Sequence, residues 1–469
     1  MNIGLTYDDV LLVPQRSSIR TRKDVKCATK LTKKIALATP IVSANMDTVT
    51  ESEMAITLAT CGGIGIIHRF FSIEDQVKEV ARVKRYENYI VEDPLTVSIS
   101  ANISQVMAGM EERGVTSVLV VDAVNRLEGI ITARDSMFET DMEKKVTQIM
   151  TPVNRLITAK PSISLNKAKE LLHEHRLEKL PLVDQKGRLC GLITARDIMK
   201  TFSHPSATKD KKGRLMVGAA VGVRPDWLSR AGKLIDAGCD VLVLDIAHGH
   251  ADHAIEVVKG IKKAFPNVEM IAGNVATASG THDLIEAGAD AIKVGIGPGS
   301  MCTTRIVAGS GVPQLTAVME CAAIARKKSI PVIADGGIRY PGDVAKAIAA
   351  GASTVMVGGL FAGTMQSPGI TVMRNGKKYK VSRGMASVGA NMTRINEQEI
   401  EEYVAEGVEA FVPFRGDVKE MIHQLVGGLR SAMSYAGARN IEEFWVKKEF
   451  IQITQAGLTE SFPHDVEVM

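Results

Sequence analysis

The chain is short of cysteine, of aromatic residues and of net charge. Six cysteines stand in 469 residues, at Cys27, Cys61, Cys190, Cys239, Cys302 and Cys321, and no two are spaced CxxC. That scarcity excludes a zinc framework and a disulfide scaffold, and it points to a reduced, cytoplasmic protein in which five thiols fill space. Lys and Arg number 57 against 53 Asp and Glu, a net charge of only +4, so no nucleic-acid partner is expected. The one basic block, KDKKGR at Lys209–Arg214, reads as a solvated linker. No apolar run approaches the roughly 20 residues that span a bilayer, and the opening MNIGLTYDDVLL has no basic stretch leading into an apolar one, so neither a membrane anchor nor a signal peptide is expected.

Glycine is plentiful at 41, aromatics make up 4%, and hydrophobic residues make up 45%. An aliphatic core with many glycine turns suits an α/β fold. Eight short apolar runs recur: Pro40–Asn45, Gly63–His68, Leu215–Ala220, Val241–Asp245, Met270–Asn274, Ala291–Gly295, Pro331–Asp335 and Thr354–Gly358. They read as strands covered on both faces, with helical stretches such as Trp227–Ala237 and Gly342–Ala350 between them. A doubly wound sheet or a barrel accommodates such alternation; eight units favour a (β/α)8 TIM barrel. Polar and glycine-rich groups follow the strands (AHGH, NVAT, GPGS, DGG, GG) where a barrel has its mouth.

About 150 residues separate the second and third strands, too many for a loop, so a domain is inserted there. It repeats internally. GIITARDSM at Gly129–Met137 and GLITARDIM at Gly191–Met199 are offset by 62, as are Asp122 and Asp184, and Arg126 and Arg188. Each half reads helix, strand, turn, strand, helix. The expected organisation is a barrel in two parts, 1–90 and 207–469, around an insert at 91–206 with halves 91–149 and 150–206. The insert resembles a pair of CBS modules, which bind adenine or guanine nucleotides. That resemblance implies ribose contacts for Asp135 and Asp197 in the pairs Thr132/Asp135 and Thr194/Asp197. The same residues also read as a helix N-cap with a first-turn acid.

The segment VGIGPGSMCTTR, Val294–Arg305, carries the strongest chemical signal. Its glycines and proline leave backbone amides and carbonyls available to a ligand or cation, and it delivers Cys302 onto a loop beside Thr303, Thr304 and Arg305. Together with LTYDDVLLVP, SANMDTVTE, GGIGIIHRF, AHGH, AGNVAT, PVIADGGIRYPGDVAKAIAAGA and LTESFPHDV, it makes the chain resemble the IMP dehydrogenase and GMP reductase family over residues 4–469. The resemblance implies a purine nucleotide substrate, a nicotinamide cofactor (NADPH or NAD), a monovalent cation such as K+, and a homotetramer or octamer. Matched position by position, Cys302 is the nucleophile for C2 of the purine, assisted by Thr304. Met46, Ser300, Asp335, Gly336, Gly337, Gly358, Gly359, Arg383, Gly384, Met385 and Ala386 match the substrate side. Asp245, Asn274, Gly295, Ile296 and Gly297 match the cofactor side, and the carbonyls of Gly297, Gly299 and Cys302 match the cation site.

Both family chemistries pass through a thioimidate on the cysteine. A dehydrogenase then hydrolyses it, which takes a base; the resemblance puts an Arg for that purpose in a flap of pattern EGVEGRVPYKG. This chain has EGVEAFVPFRG, with Phe411 and Phe414 in place of Arg and Tyr. Ser382 before RGM, Asn45 in ANMD and Glu320–Ala322 also lean to the reductase. The CBS-like insert, AHGH and NVAT lean the other way, and Val388 stands where reductases carry the Glu that pairs with the Thr. An acid such as Glu409 is then the expected partner of Thr304. The reading is a GMP reductase; the alternatives are an IMP dehydrogenase with another water-activating group and a non-catalytic nucleotide-sensing paralogue.

Overall fold

The computed structural model describes residues 3–86, 90–391, 404–463 and 466; two residues of the LTESFPHDV tail, 464 and 465, lie outside them. The chain divides into two compact units. One is Met1–Tyr86, Ser206–Lys211 and Leu215–Met469; the other is Glu87–Pro205 with Lys212–Arg214.

The first unit is a closed barrel of eight parallel strands: β1 (Ile41–Ser43), β2 (Ile64–Ile67), β3 (Gly218–Val221), β4 (Val241–Leu244), β5 (Glu269–Val275), β6 (Ala291–Val294), β7 (Val332–Asp335) and β8 (Thr354–Val357), with β8 pairing back onto β1. The fold is an α/β TIM barrel. Every residue of β2, β4, β6 and β8 is buried, because the strands face packed side chains inside and helices outside, and apolar runs satisfy both faces. The third strand begins three residues later than the sequence suggests. Leu215 instead bridges back to Lys209, and Met216 N–H donates to Thr208. The basic block is therefore more than a solvated linker: Asp210 within it meets the buried Lys84 amine at 3.0 Å, and that amine also reaches Asp240.

Against the barrel packs a three-stranded antiparallel sheet, β9 (Thr371–Arg374), β10 (Lys377–Arg383) and β11 (Glu409–Pro413). In β11, Glu409, Phe411 and Pro413 share the exposed face, and Ala410 and Val412 the other.

In the second unit each repeat has the expected order. Helix Ile103–Arg113, strands Ser117–Val121 and Leu127–Thr132, and helix Ala133–Ser136 are matched by Leu165–Glu174, Lys179–Val183, Leu189–Thr194 and Ala195–Ser203. The two hairpins pair at their turns, with Leu127 N–H donating to Gly187 and Leu189 N–H to Asn125. Asn125 and Gly187 occupy equivalent left-handed positions, φ 62° and 76°. Thr132 and Thr194 cap their helices: the Thr132 and Thr194 hydroxyls donate to Asp135 at 2.7 Å and Asp197 at 2.6 Å.

Candidate active site

The loop from β6 crosses the barrel mouth and ends at Cys302, whose side chain is exposed. This loop is stitched to the chain just before β11. Thr303 N–H donates to Glu406 O at 2.9 Å, Val408 N–H to Met301 O at 3.0 Å, and Cys302 pairs with Gly407. The stitching sets the side-chain geometry: Cys302 Sγ lies 3.2 Å from Thr304 Oγ1, and Thr304 Oγ1 donates to Glu406 Oε2 at 2.7 Å. The acid beside Thr304 is therefore Glu406. Glu409 is engaged elsewhere, accepting Gly389 N–H at 2.9 Å. Glu406 opens the EGVEAFVPFRG segment, and its pairing with the cysteine loop gives it a role.

Cys302 opens into a cavity of about 610 Å³, the size range of a small-molecule site. On one wall Asp335, at the end of β7, accepts from the buried Lys293 amine at 2.7 Å and from Asn274 Nδ2 at 2.9 Å. Lys293 and Asn274 come from the neighbouring strands β6 and β5, so three strand ends hold one carboxylate. The sequence reading missed Lys293; its amine inside an apolar AIKV strand was the available signal.

Gly336 and Gly337 follow with φ of 96° and 82°, a conformation that side chains resist, and a Cβ at Gly336 would fall 2.8 Å from Pro298 Cγ. A Cβ at Gly359 would fall 2.5 Å from Ser300 Oγ, and one at Gly358 would fall 3.1 Å from Met46 Sδ. Such bare backbone allows the close approach that anion-binding loops need. Gly384, Met385 and Ala386 line the same cavity, as do Gly295, Ile296, Gly297 and Gly299. On the far wall Asp245 accepts from Asn45 at 2.8 Å and from Arg69 at 2.5 Å. The Gly299 carbonyl accepts Cys302 N–H at 3.1 Å, which leaves one of its lone pairs for a cation.

Three expectations fail here. Arg383 does not line the cavity; its guanidinium bonds Asp47 and the Gly389 carbonyl. Phe411 and Phe414 do not line it either. Phe411 is 48% exposed, with Arg374 over its ring, and Lys378 lies over Phe414. The period-2 alternation of β11 turns Phe411 outward. Cys190 is exposed rather than space-filling, while Cys27, Cys239 and Cys321 are buried.

A closed α/β barrel with an exposed, hydroxyl-paired thiol among glycine loops at its mouth has the make-up of an enzyme site. The family described as "IMP dehydrogenase / GMP reductase domain" matches residues 4–464. The chain is 51% identical to an inosine-5'-monophosphate dehydrogenase of Nitrosopumilus maritimus, over 99% of each protein. It is 47% identical to a GMP reductase of Leishmania donovani, over 99% of this chain and 97% of that one. Its structure is similar to that of a variant GMP reductase from Trypanosoma brucei in complex with guanosine 5'-monophosphate, with a TM-score of 0.90, 45% identity and coverage of 100% and 99%. The chain belongs to the IMP dehydrogenase / GMP reductase family, as a purine nucleotide oxidoreductase.

Proposed function

We propose that this barrel converts GMP to IMP and ammonia with NADPH. Two observations together carry the reading: the relay Cys302–Thr304–Glu406, which can hand the thiol proton to a departing amine, and a segment with Phe411 and Phe414 where a dehydrogenase carries its Arg and Tyr. In the first step a bond forms between Cys302 Sγ and C2 of GMP, and the C2–N bond to the exocyclic amine breaks. The thiol proton leaves sulfur for Thr304 Oγ1 as Glu406 takes the Thr304 proton, and it ends on the amine, which departs as ammonia. Atoms and charge balance with no outside base, and a relay anchored at the sulfur serves that transfer. NADPH, when bound, supplies hydride to C2; the C–S bond then breaks and the returning thiolate takes a proton from solvent.

Asp335 fits a ribose hydroxyl, and the Gly336–Gly337 and Gly358–Gly359 loops with Ser300 fit the phosphate. Met46, Met385 and Ala386, which line the same cavity, fit the purine. Asp245, Asn274, Gly295, Ile296 and Gly297 suit the cofactor side, where the cavity continues past Val223 and Ala247. The carbonyls of Gly297, Gly299 and Cys302 would hold the monovalent cation. Asp135 and Asp197 are offered as ribose partners of a regulatory nucleotide in the repeated insert. A tetramer or octamer accords with the family.

A second reading, oxidation of IMP to XMP with NAD, is favoured by one observation: Glu406, one hydroxyl from the sulfur, is also placed to take a proton from water. Purified protein given GMP with NADPH, and separately IMP with NAD, decides between them. Formation of IMP and ammonia in the first mixture supports the reductase, and formation of XMP in the second overturns it.

A further inference from the structure

Two charged residues just behind the cavity wall are joined across 336 positions of sequence. Arg383 Nε donates to Asp47 Oδ2 at 2.8 Å, Nη2 donates to the same oxygen, and Nη1 donates to the Gly389 carbonyl at 3.0 Å. The Asp47 side chain is 7% exposed, and its other oxygen, Oδ1, is buried with no hydrogen-bond partner among the described residues. Such a carboxylate stays buried only with a strong partner. The Arg383 backbone joins the same contact, its N–H donating to Thr48 Oγ1, which meets Ser382 Oγ at 3.1 Å.

The neighbours of the pair lie on the cavity. Met46 precedes Asp47, and Gly384, Met385 and Ala386 follow Arg383; all four line the cavity. From Arg383 the connection also runs to the relay. Gly384 N–H donates to Val408 O at 2.9 Å, and Glu406 N–H to Ala386 O at 3.1 Å. Glu406 then holds Thr304. One guanidinium thus fastens the loop after β1 to the end of β10, and through β10 the backbone that carries Glu406.

We infer that Asp47 and Arg383 form a positioning clamp that sets the gap between Met46 and Met385, where a flat purine would be held, and that keeps Glu406 on the thiol relay. Neither residue lines the cavity. This rests on the cavity being the nucleotide site, and it holds for either direction of the family chemistry. Arg383 suits the task because its planar fork makes two bonds to one carboxylate oxygen and a third to a carbonyl, a geometry Lys cannot copy.

The test uses the alkylation rate of Cys302, measured in the full chain with Cys190→Ser so that one exposed thiol reports. Asp47→Asn, Arg383→Met, Arg383→Lys and the Asp47→Asn/Arg383→Met double variant are compared with and without GMP or IMP, with folding checked by circular dichroism. Each single variant should need about tenfold more nucleotide for half protection and should alkylate more slowly without nucleotide, while the double variant should fare no worse than the poorer single, as coupled residues do. Arg383→Lys, which keeps the charge, should recover part of the loss and serves where Arg383→Met does not fold. Multiplied effects in the double variant, or rates and protection within twofold of the parent throughout, overturn the clamp. If the parent shows no protection by either nucleotide, the proposed function fails; the nucleotide-free rates still judge the clamp.

Discussion

Thr304 Oγ1 stands between Cys302 Sγ, 3.2 Å away, and Glu406 Oε2, 2.7 Å away, so one hydroxyl links thiol to carboxylate. If that link moves the thiol proton to the departing amine, Glu406→Gln removes its acceptor. Turnover of GMP should fall by about 100-fold, the range of one general acid–base group. Glu409→Gln, whose side chain accepts Gly389 N–H away from the thiol, should stay within about threefold, as substitutions outside such machinery do. Steady-state rates of the two variants check the assignment; equal losses would place the relay elsewhere.

Thiol reactivity should separate by burial. Desolvation pushes Cys239 up to about 12 and Cys321 up to about 11, and raises Cys27 and Cys61 as well. A raised pKa keeps the thiol protonated, so at pH 8 a group at 11 is thiolate in about one molecule per thousand. Iodoacetamide should therefore label Cys302 and Cys190 first, read by peptide mass spectrometry, with the half-buried Cys61 slower and Cys27, Cys239 and Cys321 labelling only on unfolding. GMP should shield Cys302 and leave Cys190 unchanged. Cys302→Ala should lose turnover altogether while still binding GMP, since the glycine loops and Asp335 hold the nucleotide.

The barrel was largely legible because its information is local. A fully buried strand must be short and apolar, and all eight expected runs contain most of their observed strand. The repeat offset of 62 gave both halves of the insert in the correct element order. The cavity residues next to strand ends were legible for the same reason. What escaped depends on pairing between distant segments. Glu406 gains its role by lying beside Cys302, and Arg383 turns from the cavity because Asp47 captures it. Phe411 faces outward because of the register Val381↔Phe411, which no pattern within EGVEAFVPFRG reveals.

That register carries its own prediction. Phe411→Arg with Phe414→Tyr should leave reduction within about threefold of the parent, as for other surface changes, and should produce no XMP. Chromatography of the products checks it. Hydrolysis appearing in the double variant would mean that these side chains reach the mouth during turnover.

Excision of the insert should spare the chemistry. Lys84, just before it, binds Asp210, just after it, at 3.0 Å, so both ends of the excision are fastened at one point of the barrel unit. Replacing about Val91–Ser206 by a short glycine linker should leave turnover within about threefold, since loop closure costs little, and should abolish any response to adenine or guanine nucleotides. Asp135→Ala and Asp197→Ala in the full chain should weaken that response. A response that survives excision would locate the regulatory site in the barrel.

The direction of the chemistry at C2 is read from the products. Purified protein with GMP and NADPH should yield IMP and ammonia in equal amounts as NADPH is consumed, and IMP with NAD should yield no XMP. XMP formed from IMP and NAD at rates usual for enzymes, about 1–1000 per second, with no consumption of NADPH in the presence of GMP, would contradict it.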